Sequence, residues 1–108
     1  MNEASRIILM TKEDIINLIR SSLPTLRREY GVKRIGVFGS AVTGHLSDTS
    51  DIDLVVEFER PIGFRFLDLA EDLEKLLGRK VDILTPDGMN SIRVPSVAKN
   101  IRENTIYV

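Results

Sequence analysis

The sequence predicts a small α/β protein of the α+β kind, in which a mixed β-sheet is flanked by helices. Two segments rich in β-branched residues, Val32–Phe38 and Ile52–Phe58, alternate apolar and polar positions in the manner of strands. A third strand is expected over 81–85, and an amphipathic pattern over 66–77 predicts a helix between the second and third strands. With 108 residues, 43% of them hydrophobic, the chain can build one core. We therefore expect a single domain over 1–108.

The first helix is expected to begin at about Lys12. Thr11, followed three residues later by Asp14, resembles a capping box, in which each residue's side chain bonds the other's backbone. Apolar residues then recur at helical spacing. Pro24 suits the first turn of a second, shorter helix better than a helix interior, because proline has no amide proton to donate. One kinked helix is the alternative.

The connections between elements predict how the strands pair. The polar connection over 41–50 has room for one helical turn but not for a crossover helix, so the first two strands are expected to be antiparallel. The third strand is expected to stop at 86–88, where Pro-Asp-Gly is a turn composition. A last helix is expected from about Pro95, with 105–108 extended or frayed.

The composition excludes several classes of function. Fifteen basic residues oppose sixteen acidic ones, and the formal net charge of -1 gives no overall field to attract nucleic acid or an anionic membrane. The apolar run over 7–10 is too short for a membrane span or a signal-peptide core. The absence of cysteine excludes disulfides and thiolate chemistry and suits a reducing compartment. We expect a soluble, cytoplasmic protein that does not bind nucleic acid directly.

Three aspartates form the candidate metal site. His45 is the only histidine and we assign it no role, so a metal ion would be held by oxygen ligands, as Mg²⁺ and Mn²⁺ prefer. Asp51 and Asp53 point to one side of the second strand, about 6.6 Å apart. Their charges repel by about 2 to 3 kcal/mol at an effective dielectric constant near 20, a cost that a divalent ion would reverse. Asp82 can face the same spot if its strand lies alongside.

The Gly39-Ser40 turn is the candidate phosphate site. Glycine lets the backbone approach a phosphate closely, and a helical turn that begins at Ser40 would direct free amide groups at an anion. Taken singly, a Gly-Ser turn is usually only a turn and an Asp-x-Asp pair is usually a solvated face, so only their combination indicates a functional site. Four basic residues at strand ends are interpreted as solvated charges, any of which could touch a phosphate: Lys33, Arg34, Arg79 and Lys80.

Together these residues resemble the signature of the DNA polymerase β-type nucleotidyltransferase superfamily, and in particular its minimal (MNT) members, along nearly the whole chain. The resemblance implies the nucleotidyltransferase fold. It implies that Gly39 and Ser40 contact the triphosphate. It also implies that Asp51, Asp53 and Asp82 bind two Mg²⁺ ions and form the catalytic site.

The same resemblance implies a function. Many MNT proteins are antitoxins paired with a helical HEPN-domain toxin, to which they transfer AMP from ATP at a tyrosine hydroxyl, so a hetero-oligomer is possible. The chain leaves no residues for an acceptor-binding domain, which favours an acceptor supplied by a partner protein. One departure is Thr43, where many members carry an arginine that would place a cation near the phosphates. Two alternatives stay open: a non-catalytic antitoxin that occludes its partner, and nucleotidyl transfer to a small molecule.

Overall fold

The computed structural model describes residues 11–44, 51–90 and 92–108, with backbone only for 89 and 90. The described elements, in chain order, are α1 (Lys12–Tyr30), β1 (Val32–Phe38), α2 (Ser40–Thr43), β2 (Ile52–Phe58), α3 (Arg65–Leu77), β3 (Val81–Leu84), α4 (Pro86–Asn90), α5 (Pro95–Asn104) and β4 (Ile106–Tyr107). The expectations for 7–10, for His45 and for the second half of the 41–50 connection lie outside the described residues. None of the described helices is long and apolar enough to cross a membrane.

The four strands form a mixed sheet in the order β3-β2-β1-β4. β1 and β2 are antiparallel, as the short connection predicts, and one helical turn, α2, follows β1. β3 lies parallel to β2, with the α3 crossover between them, and β4 is antiparallel to β1. The predicted fold class, a mixed sheet flanked by helices, is confirmed.

Helix α1 is continuous, so the expectation of a second helix beginning at Pro24 is wrong and the single-helix alternative is correct. The capping box is present: the Asp14 amide donates to Thr11 Oγ1 (3.1 Å) and the Thr11 amide donates to Asp14 Oδ2 (3.0 Å). Pro24 is exposed, and buried side chains on both sides of it hold the helix to the sheet. Packing therefore outweighs the cost of the hydrogen bond that proline cannot make. The helix ends at Gly31, whose φ of 67° is left-handed.

Helices α1 and α3 cover one face of the sheet and form the core with it. Alternation along β2 points Ile52, Leu54 and Val56 into this core, where each is fully buried. Val81 and Ile83 of β3 pack against the same core. The residues that alternate with these core-facing side chains, including Asp53 and Asp82, therefore face the opposite side of the sheet, where the candidate functional site lies. The core consists of buried apolar side chains: Ile15, Ile19, Leu23, Leu26, Tyr30, Val32, Ile35, Val37, Ala41, Ile52, Leu54, Val56, Leu69, Leu73 and Leu77.

The segment after β3 is a short helix, α4, and not the turn expected from Pro-Asp-Gly at 86–88. Its first turn is closed by Thr85, whose Oγ1 accepts a hydrogen bond from the Gly88 amide (3.1 Å). A hydroxyl placed before a proline at the first helical position favours helix initiation, and this outweighs the turn preference of the sequence. The expected last helix from Pro95 is confirmed, and part of 105–108 is strand β4.

The C-terminal segment is held closely against β1 at Gly36. A Cβ atom added to Gly36 would lie 2.4 Å from Cγ2 of Thr105 and 3.0 Å from Cδ1 of Tyr107. A side chain at position 36 would therefore displace the segment that carries β4.

Gly36→Ala should lower the free energy of unfolding by about 1–3 kcal/mol, because the new methyl group has no room. Chemical denaturation would measure this. Combining it with Thr105→Ser, which removes Cγ2 and keeps the hydroxyl that donates to the Ile101 carbonyl (2.5 Å), should recover part of the loss. Equal losses in the single and double variants would show that Thr105 does not limit the space.

Candidate functional site

Three aspartates lie in, or directly before, two neighbouring strands at the same end of the sheet. Asp53 is in β2 and pairs in register with Asp82 of β3. Asp51 directly precedes β2 and has the same alternation phase as Asp53, away from the core. Adjacent strands lie about 4.8 Å apart, so the side chains of Asp53 and Asp82 branch from neighbouring backbone positions. The structure therefore places the three sequence-predicted carboxylates at one end of the sheet.

The carboxylates interact electrostatically, and this interaction changes the pKa of Asp53. Burial raises the pKa of Asp53 above its ordinary value, and the negative charges of Asp82 and then Asp51 raise it further. Asp53 is half-buried, whereas Asp51 and Asp82 are exposed. Ionised Asp53 is thus unfavourable for the fold, and a cation at this edge would relieve the repulsion.

The three carboxylates do not form a ready-made cage for an ion. Within residues 11–44, 51–90 and 92–108, no group of three or more acidic or histidine side chains is close enough to hold a metal by itself. Mg²⁺ is commonly held by one or two carboxylates together with substrate phosphates and water, not by an all-protein cage. The carboxylate oxygens of Asp53 and its two acidic neighbours are hard ligands, so they fit a Mg²⁺ ion that is also bound by substrate phosphates and water. The metal role of Asp51, Asp53 and Asp82 stays a prediction.

The Gly39-Ser40 turn lies against Asp53. The register pairs Phe38 with Asp53, so the chain leaves β1 beside the start of β2. Gly39 has φ 71° and ψ -144°, a conformation that is essentially restricted to glycine. A Cβ atom at this position would lie 2.2 Å from Asp53 Oδ2 and 3.0 Å from its Cγ. Glycine is therefore required here by the backbone conformation and by the approach of the carboxylate.

Helix α2 begins at Ser40, directly after this contact. The Gly39 carbonyl accepts hydrogen bonds from the amides of Val42 (3.0 Å) and Thr43 (3.1 Å), which closes the turn. Ser40 is half-buried and Thr43 is exposed. The sequence suggested Gly39 and Ser40 by their type and position, but it did not show that Gly39 touches Asp53, because that contact depends on the strand register.

A separate cavity of about 560 Å³ lies at the other end of β2. Its walls include Phe58, Ile62 and Phe66, together with Glu57 and residues of the loop that follows β2. Glu57 lies four positions along the strand from Asp53, a distance of about 13 Å. Large apolar pockets are often binding sites. The interacting carboxylates, which form the candidate site, lie toward the opposite end of β2.

Comparison with known proteins identifies the family. Residues 19–108 match the family model described as "Nucleotidyltransferase domain". The chain belongs to this family. It is accordingly an enzyme of the nucleotidyltransferase class, and the resemblance to minimal members is confirmed.

Two relatives are similar over almost their full lengths. Protein adenylyltransferase MntA of Thermococcus cleftensis is 37% identical over 101 residues, which cover 93% of this chain and 98% of the relative. A candidate protein adenylyltransferase of Methanocaldococcus jannaschii is 41% identical over 103 residues, covering 93% of this chain and 100% of the relative.

Solved structures share the fold. A candidate minimal nucleotidyltransferase superposes with a TM-score of 0.67 at 30% identity, covering 90% of this chain and 95% of the other. A crystal structure of a toxin–antitoxin with AMP-PNP has a chain that superposes with a TM-score of 0.58 at 22% identity, covering 91% of this chain and 72% of that one. The second likeness is one of fold alone.

Asp53→Asn should stabilise the protein near neutral pH when divalent ions are absent. The raised pKa of Asp53 means that its protonated form favours the fold. This contribution is complete below the ordinary aspartate pKa of about 3.9 and is lost as pH rises through the higher folded-state pKa. Removing the charge should raise Tm by about 2 °C near pH 7, with the gap closing in acid.

The matched control is Glu59→Gln, which removes an exposed carboxylate just beyond the other end of β2 and should change Tm little near pH 7, as surface substitutions usually do. Thermal melts from acid to neutral pH would measure both variants. A loss of stability on Asp53→Asn substitution at pH 7, or a difference that does not change with pH, would contradict the electrostatic account.

Gly39→Ala should cost about 2–4 kcal/mol of unfolding free energy, through backbone strain and collision with Asp53. Gly44→Ala is the matched control, because Gly44 also has a positive φ (83°) but its added Cβ would meet nothing within 4 Å. It should cost about 1 kcal/mol. Denaturant titration would compare them, and equal losses would show that Gly39 does not need to approach Asp53.

Proposed function

We propose that this chain transfers AMP from ATP to a tyrosine hydroxyl group of a partner HEPN-domain toxin, and so acts as an antitoxin. The observation that carries the proposal is the contact between the Gly39 backbone and the Asp53 carboxylate. It joins a turn suited to phosphate with a carboxylate group suited to Mg²⁺. The names of the two relatives, both protein adenylyltransferases, support AMP as the group and a protein as the acceptor.

In the proposed reaction the acceptor oxygen attacks the α-phosphorus of ATP. A new phosphorus–oxygen bond forms, the bond between the α-phosphorus and the bridging oxygen of the β-phosphate breaks, and pyrophosphate leaves with that electron pair. The hydroxyl proton is lost to solvent or to a carboxylate. Atoms and charge balance without an oxidant or reductant.

The residues have separate roles in this proposal. The backbone of Gly39 and Ser40 holds the phosphates in place beside the carboxylates, and Asp51, Asp53 and Asp82 would hold the cations that orient the triphosphate. Asp82, exposed on the neighbouring strand, faces the side open to solvent, where the acceptor would arrive and where its proton can be accepted. Two Mg²⁺ ions, when bound, would neutralise phosphate charge and lower the pKa of the attacking hydroxyl.

The partner is proposed to be a protein, because the relatives' names specify protein acceptors and the alignments span 98% and 100% of their lengths. The toxin–antitoxin structure with the same fold supports a toxin as that partner and a hetero-oligomer as the working assembly. We further propose that residues 1–108 act as one domain and that the reaction takes place in the cytoplasm.

Incubation with the partner toxin, ATP and Mg²⁺ should add AMP to the toxin, seen as a mass increment by intact-protein mass spectrometry. Asp51→Asn and Asp53→Asn should each slow transfer on the order of 10³-fold, because each removes charge that would hold the metal. A chelator should abolish transfer. Glu59→Gln is the control and should react at the rate of the unaltered chain.

Partner binding separates catalysis from occlusion. The two aspartate variants should still form the complex, measured by size-exclusion chromatography, while losing the ability to silence the toxin. An unmodified partner after incubation, or aspartate variants that neutralise the toxin fully, would contradict the proposed transfer.

A further inference from the structure

The acidic edge needs a positive group to receive a triphosphate, and α2 does not provide one. The helix reads Ser-Ala-Val-Thr, from Ser40 to Thr43, and contains no basic residue. A bound triphosphate would bring several negative charges to an edge that already carries three aspartates. Part of this charge can be met by metal ions, but the leaving pyrophosphate is best stabilised by a cation on the protein as well.

Two of the four basic residues at strand ends form ion pairs away from the site. The four are Lys33, Arg34, Arg79 and Lys80. Arg34 Nε lies 2.7 Å from Glu57 Oε2, and Lys33 Nζ lies 3.7 Å from Glu57 Oε1. The Arg34 guanidinium also stacks over the Tyr107 ring at 4.1 Å from its centroid. These contacts lie toward the start of β1, whereas the site lies at its end. Lys33 and Arg34 are therefore in the wrong place to touch the phosphates.

Lys80 lies at the site end of the sheet. The Ile52 amide donates to the Lys80 carbonyl (3.0 Å), which extends the β2·β3 ladder by one residue beyond Val81. Lys80 is thereby placed across from Asp51 in the parallel pairing. Because Val81 packs against the core, the residues on either side of it face the opposite surface, so Lys80 shares the face of Asp82.

The Lys80 side chain is exposed, and none of the ion pairs between described residues includes it. Its neighbour Arg79 is half-buried in the bend after α3 and makes contacts of its own. A lysine ammonium is a compact charge on a flexible stem, which suits a phosphate whose position changes when the α–β bond breaks. Of the four cations, Lys80 alone combines the right end of the sheet, the right face and exposure.

We propose that Lys80 contacts the β- or γ-phosphate of the bound nucleotide, supplies the cation that α2 lacks, and stabilises the departing pyrophosphate. This inference rests on the nucleotide site of the proposed function and names a further substrate-binding residue in it. It predicts that Lys80 discriminates between nucleotides by the number of their phosphates, since its contact lies beyond the α-phosphate.

The test is nucleotide binding by isothermal titration calorimetry, with Mg²⁺ and either AMP-PNP or AMP. Lys80→Ala should weaken AMP-PNP binding about 10-fold or more, as expected for loss of a charge-assisted contact, and leave AMP binding unchanged. Lys80→Gln should behave like the alanine variant, and Lys80→Arg should retain most of the affinity. Lys33→Ala is the matched control and should bind both nucleotides normally.

The outcomes distinguish this inference from the wider proposal. AMP-PNP binding that survives Lys80→Ala, or an equal loss for AMP and AMP-PNP, would overturn the role of Lys80 alone. Failure of the unaltered chain to bind AMP-PNP would overturn both proposals. A selective loss in the Lys80 variants, with no transfer to any partner, would support Lys80 as a phosphate contact and contradict only the proposed acceptor.

Discussion

The site depends on the antiparallel pairing of β1 and β2, because this pairing brings Gly39 against Asp53. The last residue of β1 is opposite Asp53, so the chain must turn next to a carboxylate, and only glycine has the backbone freedom and the small size to do so. The short connection between the strands enforces the same arrangement from the sequence side. One local constraint thus places the Gly39-Ser40 turn, the candidate phosphate site, beside the candidate metal ligands.

The sheet has two chemically different faces: one packs the core and the other carries the carboxylates. On one face, α1 and α3 bury the apolar half of β2 and fix the strands in register. On the other face lie the carboxylates of Asp51, Asp53 and Asp82; burial of Asp53, and then repulsion by the other two charges, raises the pKa of Asp53 and opposes folding. The packed core thereby holds like charges together, at a cost to stability that a bound cation would offset. Sites that conflict with stability in this way are typical of catalytic function.

Several elements were predictable because local pattern and tertiary structure agree. The alternation in β1 and β2, the apolar stripe of α3 and the Asp-x-Asp pair are each visible within a few residues of sequence. Pro24 shows where this agreement fails: a local rule favours a helix break, but side chains buried before and after it keep α1 continuous. The Pro-Asp-Gly segment fails for a different reason: a second local signal, the Thr85 hydroxyl before Pro86, starts a helix there and outweighs the turn preference.

The site was predictable in its residue types but not in its contacts. The sequence could propose Asp51, Asp53 and Asp82, but their proximity depends on β3 lying parallel beside β2, which no local pattern specifies. The sequence also could not show which of Lys33 and Lys80 is the better candidate for a phosphate contact, because the two lysines differ in the end of the sheet that each occupies. A crystal structure with Mg²⁺ and AMP-PNP tests the central claim most directly. We predict that metal ions are bound by Asp51 and Asp53, with the phosphates over Gly39 and Ser40. Phosphates bound elsewhere, for instance in the cavity near Phe58, or metal-free carboxylates at saturating nucleotide, would contradict it.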